Sequence, residues 1–138
     1  MAVLVTEAGF GADDWSGEIL SLEALTTGQD LPAAGLAVDF PNDRDPAVLV
    51  PWLERLALVR VAFPAMTDGR GFSIGHQLRR LGYRGRLRAA GPLIADQFRM
   101  ARRVGFDEVE LPDAMAERQP EEQWRIRAQG SYQNRVLG

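Results

Sequence analysis

The chain has 138 residues, 46% of them hydrophobic and 25% charged, with a net charge of −3, no cysteine and a single histidine. That is enough chain for one globular domain with a proper core, and it excludes disulfides, thiolate nucleophiles, iron–sulfur ligation, cysteine-based zinc and a histidine-rich metal site. No apolar run approaches the ~18 residues of a membrane span, and the first residues have neither the basic nor the full apolar region of a secretory signal, so no membrane association and a cytoplasmic location are expected.

Residues 1–34 read as an N-terminal strand or hairpin appended antiparallel to the rest. A strand covers Ala2–Thr6, a Gly/Asp-rich turn lies around Gly9–Asp14, Ile19–Leu25 follows, and Thr26–Ala34 forms an exposed connection. From residue 35 strand-like and helix-like segments alternate. Residues 35–39 read as a buried strand. Asp45-Pro46 is a helix start, with Asp as N-cap and Pro at the first helical position; Leu49, Trp52, Leu53 and Leu56 follow at helical spacing, and Pro51 should kink that helix or delay its start. Residues 58–63 form the clearest strand. Ser73 is expected to cap a helix carrying Ile74, Leu78 and Leu81, with Arg79 and Arg80 in its last turn and Gly82 as its stop. Residues 86–90 form the next strand, Gly91-Pro92 opens a helix with Ile94, Phe98 and Ala101 that closes at Gly105, and residues 108–111 form the fourth strand. Short helical pieces are expected after Asp113 and from Pro120, and residues 130–138 read as a flexible tail. Helices of about 10 residues between strands predict right-handed βαβ crossovers. The expected fold is a single α/β core domain over 35–129 with a mainly parallel sheet, half-barrel-like or doubly wound.

Charge is unevenly spread. Residues 1–57 hold ten acids against Arg44 and Arg55, residues 58–108 hold ten arginines against four acids, and all sixteen basic residues of the chain are arginine. The basic centre could attract an anion, or the acidic N-terminal third could lie against it. Arg60 and Arg88 fall inside strands, where an unpaired guanidinium is very costly to bury. Each therefore needs an open sheet face or a carboxylate partner such as Asp39 or Glu110. An open face would suit packing against a second copy, and a homodimer is the expectation that follows.

The candidate site is the loop that follows residues 58–63. Ligands of α/β domains bind at the carboxyl edge of the sheet. That edge should gather Asp68, Gly69, Arg70, Gly71 and Ser73 with Asp96 and Gln97 beside them. The glycines let backbone N–H groups approach an oxyanion, and the planar guanidinium of Arg70 donates two parallel hydrogen bonds. The ordinary alternatives are a turn or cap role for Asp68, an ion pair for Arg70, and favourable helix-dipole placement for Asp96. Gly9-Phe10-Gly11 lacks the third glycine of a dinucleotide fingerprint, and Asp13-Asp14 would repel a pyrophosphate. No catalytic residue, metal site or cofactor cradle is legible. Basic side chains without interleaved aromatics argue against nucleic acid.

The blocks Asn42-Asp43-Arg44-Asp45-Pro46, Thr67-Asp68-Gly69-Arg70-Gly71-Phe72-Ser73, Leu81-Gly82-Tyr83, Asp96-Gln97 and Gly105-Phe106-Asp107 resemble the bacterial domain-of-unknown-function 934 family over about residues 36–112. Asp13-Asp14-Trp15 is a weaker echo. Members are typically encoded beside sulfite reductase and often labelled oxidoreductases of sulfite reduction. Family members commonly carry Asp where this chain has Pro92, and often Cys where it has Val104, which reads that position as packing. The resemblance implies a link with assimilatory sulfate and sulfite reduction. The leading expectation is an accessory or binding protein that works with sulfite reductase or its electron donor, without a cofactor of its own. The alternative is a small oxidoreductase or electron-transfer enzyme using the Asp68–Arg70 loop.

Overall fold

The computed structural model describes residues 2–6, 8–64, 69–93 and 95–112. Strands β1 (Ala2–Thr6), β2 (Gly9–Ala12), β3 (Leu20–Ser21), β4 (Leu36–Phe40), β5 (Leu56–Ala62), β6 (Arg86–Ala90) and β7 (Glu108–Pro112) form one seven-stranded sheet in the order β2-β1-β7-β6-β5-β4-β3. From β3 to β7 all neighbours are parallel; β1 runs antiparallel to β7 and to β2. The four strands expected from the sequence are therefore present and parallel. The pieces expected after Asp113 and the tail lie outside the described residues.

Because β4, β5, β6 and β7 succeed one another across the sheet, right-handed crossovers put their connections on one face. The winding is single, which resolves the two expected topologies toward the half-barrel-like one. The connections are a 3-10 helix over Pro46–Trp52, α2 (Arg70–Arg80) and α3 (Ala95–Val104), with α2 packed against both of the others. Asp45 caps the first through the amide of Ala47, and Pro51 inside it holds the segment in the tighter 3-10 form.

The core lies between this helical layer and the facing side chains Val59, Val61, Leu87, Ala89, Val109 and Leu111. Its centre is aromatic: the Phe63 ring meets Phe72 at 5.0 Å and Phe106 at 5.8 Å, both edge-on. Gly71 and Gly75, one turn apart on α2, give these rings room; a Cβ would sit 2.4 Å from Phe63 at the first and 2.3 Å from Phe106 at the second. Both helices end as expected. The amide of Tyr83 reaches the Leu78 carbonyl past Gly82, and that of Phe106 reaches Ala101 past Gly105.

The expected N-terminal hairpin is present, with β1 at Ala2–Thr6 antiparallel to β2 and β7, but the rest of the N-terminal third departs from expectation. Gly9–Ala12 is the edge strand β2 rather than a turn, and Ile19–Leu25 yields the two-residue β3 followed by α1 (Leu22–Thr27), capped by Ser21. β3 is parallel to β4 at the far edge from β2. Residues 13–19 must therefore cross the whole sheet as a strap.

Tyr83 supplies a pH-dependent prediction. It is buried, and its hydroxyl donates to the Arg86 carbonyl at 2.8 Å. Burial, first of several influences, raises its pKa above the ordinary phenol value. A folded-state pKa above the unfolded value means stability that is fully present below the unfolded pKa of about 10 and is lost as pH rises through the folded one. The protein is expected to unfold in alkali, and Tyr83→Phe should remove most of that dependence while losing about 1 kcal/mol at neutral pH. Urea midpoints measured from neutral to strongly alkaline pH check this; an unchanged alkaline slope in Tyr83→Phe refutes it.

Candidate functional site

The loops after β5 and β6 leave the sheet side by side at its carboxyl edge. They touch so closely that a Cβ on Gly91 would fall 1.9 Å from the Phe63 carbonyl oxygen, and Gly91 itself takes φ +150°. The two parallel crossovers therefore start α2 and α3 at this edge, and with them several expected site residues. Asp68 lies outside the described residues. Gly69 is the N-cap of α2 without a side-chain cap bond, and Arg70 is its first residue and exposed. No acidic residue stands in that first turn. Asp96 and Gln97 are the second and third residues of α3, and Gln97 is half-buried.

Two expectations are corrected. Gly71 is buried under the Phe63 ring, so this glycine serves helix-on-strand packing and not ligand approach. Ser73 lies one turn inside α2, exposed, and does not cap it, because the helix starts four residues earlier than the apolar spacing suggests. Arg70 thus sits where the helix dipole presents positive charge, so an anion beside this helix start is favoured.

The opposite face of the sheet carries a charge ladder. Asp39, Arg60, Arg88 and Glu108 stand in register on β4, β5, β6 and β7. Arg60 grips Asp39 with Nε and with Nη2 at 2.8 Å, and its Nη1 reaches Glu110 at 3.2 Å. Arg88, fully buried, donates Nε to Glu108 at 2.6 Å, and Nη1 to Glu110 at 2.8 Å and to Asp13 at 3.1 Å. Arg86 joins Glu108 and Asp14, both at 2.8 Å, with its guanidinium 5.9 Å from the centre of the Trp15 ring. The acidic N-terminal third does lie on the basic centre, through the strap. The arginines inside strands find carboxylates within one chain, so the motive for a second copy on this face is met without one.

These charges are fixed. The bonded Asp39 carboxylate raises the Arg60 pKa more than burial lowers it. Burial opposes the charged form of Arg88, but Asp13, Glu108 and Glu110 outweigh it and the pKa is raised. Burial pushes the Asp13 carboxyl up, yet the Trp15 amide at 2.9 Å and Arg88 hold it below its usual value. Sequence reasoning named Asp39 and Glu110 as partners but missed Glu108 and the role of Asp13 and Asp14. The available signal was Arg86-Leu87-Arg88: alternate residues of a strand share a face, and a face with two arginines needs acids from elsewhere.

At the amino edge, Arg79 donates to the carbonyls of Gly105 at 2.9 Å, Tyr83 at 3.1 Å and Gly85 at 2.9 Å, and to Asp107 at 2.9 Å. Asp107 also accepts from the Leu87 amide at 2.9 Å. This clamp ties the end of α2 to the entries of β6 and β7. The Gly82-Tyr83 and Gly105-Phe106-Asp107 blocks thus have structural duties, whereas Gly69, Arg70, Asp96 and Gln97 are described motif residues at the carboxyl edge. Val104, too, packs against the core. Among the described residues, no three His, Asp or Glu side chains converge as metal ligands would, and no helix is long and apolar enough to cross a membrane.

A family model described as bacterial protein of unknown function (DUF934) matches residues 37–138, most of the chain. The chain belongs to the DUF934 family. The match begins inside β4, so the β1–β2 hairpin, the strap and α1 precede the matched region. No curated protein and no solved structure matches the chain.

Proposed function

We propose that this DUF934 protein is an accessory binding protein of assimilatory sulfate and sulfite reduction. It acts in the cytoplasm with sulfite reductase or that enzyme's electron donor, and presents its carboxyl edge to an oxyanion or to a partner's carboxylate. The observation that carries the binding role is the edge itself: two helices start side by side there, and the first turn of α2 holds exposed Arg70 and no acid. Backbone N–H groups at helix starts, with a guanidinium beside them, suit an anion. The link to sulfite reduction rests on the sequence blocks quoted above. Binding is favoured over catalysis because the well-ordered charges of the domain are committed ion pairs, whereas a general acid or base needs a group poised near the working pH.

Arg70→Lys tests this. Lysine keeps the charge and loses the planar fork, so its melting temperature should match that of the parent. Sulfite affinity measured by titration calorimetry should fall about tenfold, or about 1.4 kcal/mol, and a deletion strain carrying the variant should grow poorly with sulfate as sole sulfur source. A stable Arg70→Lys protein that binds sulfite unchanged and restores growth removes the edge as the site.

A further inference from the structure

The strap-side face holds a second feature that the edge loops do not use. At their carboxyl ends, the central strands β5 and β6 present Ala62 and Ala90 on this face, and Ala62 is exposed. Central strands of a parallel sheet are ordinarily covered on both faces by large aliphatic side chains. Two methyl groups leave a void here. The strap does not fill it, because its acids reach the sheet nearer the amino edge, at Arg86 and Arg88. A cleft of about 800 Å³ remains over the alanines, within the size range of small-molecule sites. Leu22, Pro41 and Val48 make its walls apolar, and Asp39, Arg60 and Glu110 form its charged side.

The sign of that charged side selects the ligand. Three acids line the cleft, Glu23, Asp39 and Glu110, against Arg44 and Arg60. Arg60 is already engaged by Asp39 and Glu110, and Glu110 is shared with Arg88. Asp39, by contrast, keeps 45% of its side chain exposed. Its carboxylate is held in place by the Arg60 fork and stays open to a newcomer; together with exposed Glu23 it outweighs exposed Arg44, so the cleft favours a cation over an anion. We infer that this cleft binds a small organic cation with an apolar body, a protonated amine carried on a ring or short aliphatic chain. The ammonium sits on Asp39 and the body lies over Ala62 and Ala90. The site is independent of the Arg70 edge and has the opposite charge preference.

Two probes of one shape and opposite charge test it: benzylamine, a cation at neutral pH, and benzoate. Titrated into the full-length protein and followed by backbone amide NMR, benzylamine should shift the ends of β4, β5 and β6 saturably, with benzoate at least about tenfold weaker. Ala62→Leu fills the floor at an exposed position and should weaken benzylamine about tenfold without moving the unfolding midpoint. Asp39→Asn should weaken it comparably. Arg70→Lys should leave benzylamine binding unchanged, so failure here and failure at the edge are told apart. Equal binding of benzoate, indifference of benzylamine to Ala62→Leu, or no binding of either probe would each overturn the inference.

Discussion

Replacing Arg88 by methionine is expected to destabilise the protein by about 3–5 kcal/mol, a large part of the stability of a domain this size. The guanidinium is fully buried and serves Glu108, Glu110 and Asp13 at once. Without it, Glu108, whose side chain is only 6% exposed, keeps Arg86 alone, and the strap loses its inner anchor. Methionine fills much of the volume, so the loss reports stranded charge more than a cavity. Asp14→Asn is the control. Asp14 is 69% exposed, and removing such a surface pair should change stability by no more than about 1 kcal/mol. Combining Arg88→Met with Glu108→Gln should recover part of the loss, because the acid no longer needs a counter-charge. Urea unfolding at neutral pH measures all three. A loss below about 1 kcal/mol in Arg88→Met would mean that water already reaches this guanidinium, and that the strap does not seal the face.

Gly91→Ala is expected to cost at least about 3 kcal/mol, combining backbone strain of about 1–3 kcal/mol with overpacking of similar size. A methyl group there meets the Phe63 carbonyl, which is main chain and cannot swing aside as a side chain could. The same junction carries the bond from the Phe63 amide to Ala90 at 2.8 Å and from the Gly91 amide to Glu110 at 3.1 Å. Relief of the collision therefore has to separate the β5 and β6 loops, which moves the starts of α2 and α3 and the Arg70 edge with them. Gly35→Ala separates strain from collision. Its φ is +80°, but nothing lies within 4 Å of the added carbon, so about 1–2 kcal/mol for backbone strain alone is expected. Thermal melts of the two variants compare them directly. Equal losses would show that the loop contact carries no weight.

Features that depend on neighbours along the chain were legible in the sequence alone. The strands expected at 35–39, 58–63, 86–90 and 108–111, found within two residues of those bounds, the Asp45 cap, and the glycine stops at Gly82 and Gly105 follow from periodicity, capping and turn chemistry. Each of these is a local preference repeated over several residues. The parallel order of the sheet followed too, because short helical crossovers admit little else. Even the need for acids opposite Arg60 and Arg88 was legible, since burying a lone guanidinium is prohibitive.

Which acids answered, and what that did to the face, depended on the path of the folded chain. Asp13 and Arg88 are 75 residues apart in sequence, and no local rule brings them together. Crossing the sheet does, once β2 and β3 occupy opposite edges. Gly71 shows the same limit. In the sequence it looks like part of a ligand loop, but it is a seat for the Phe63 ring, because the true start of α2 turned it inward. The cleft over Ala62 and Ala90 was invisible for the same reason. An alanine in a strand marks an open site only when no other part of the chain comes to cover it, and that depends on the path of the whole chain.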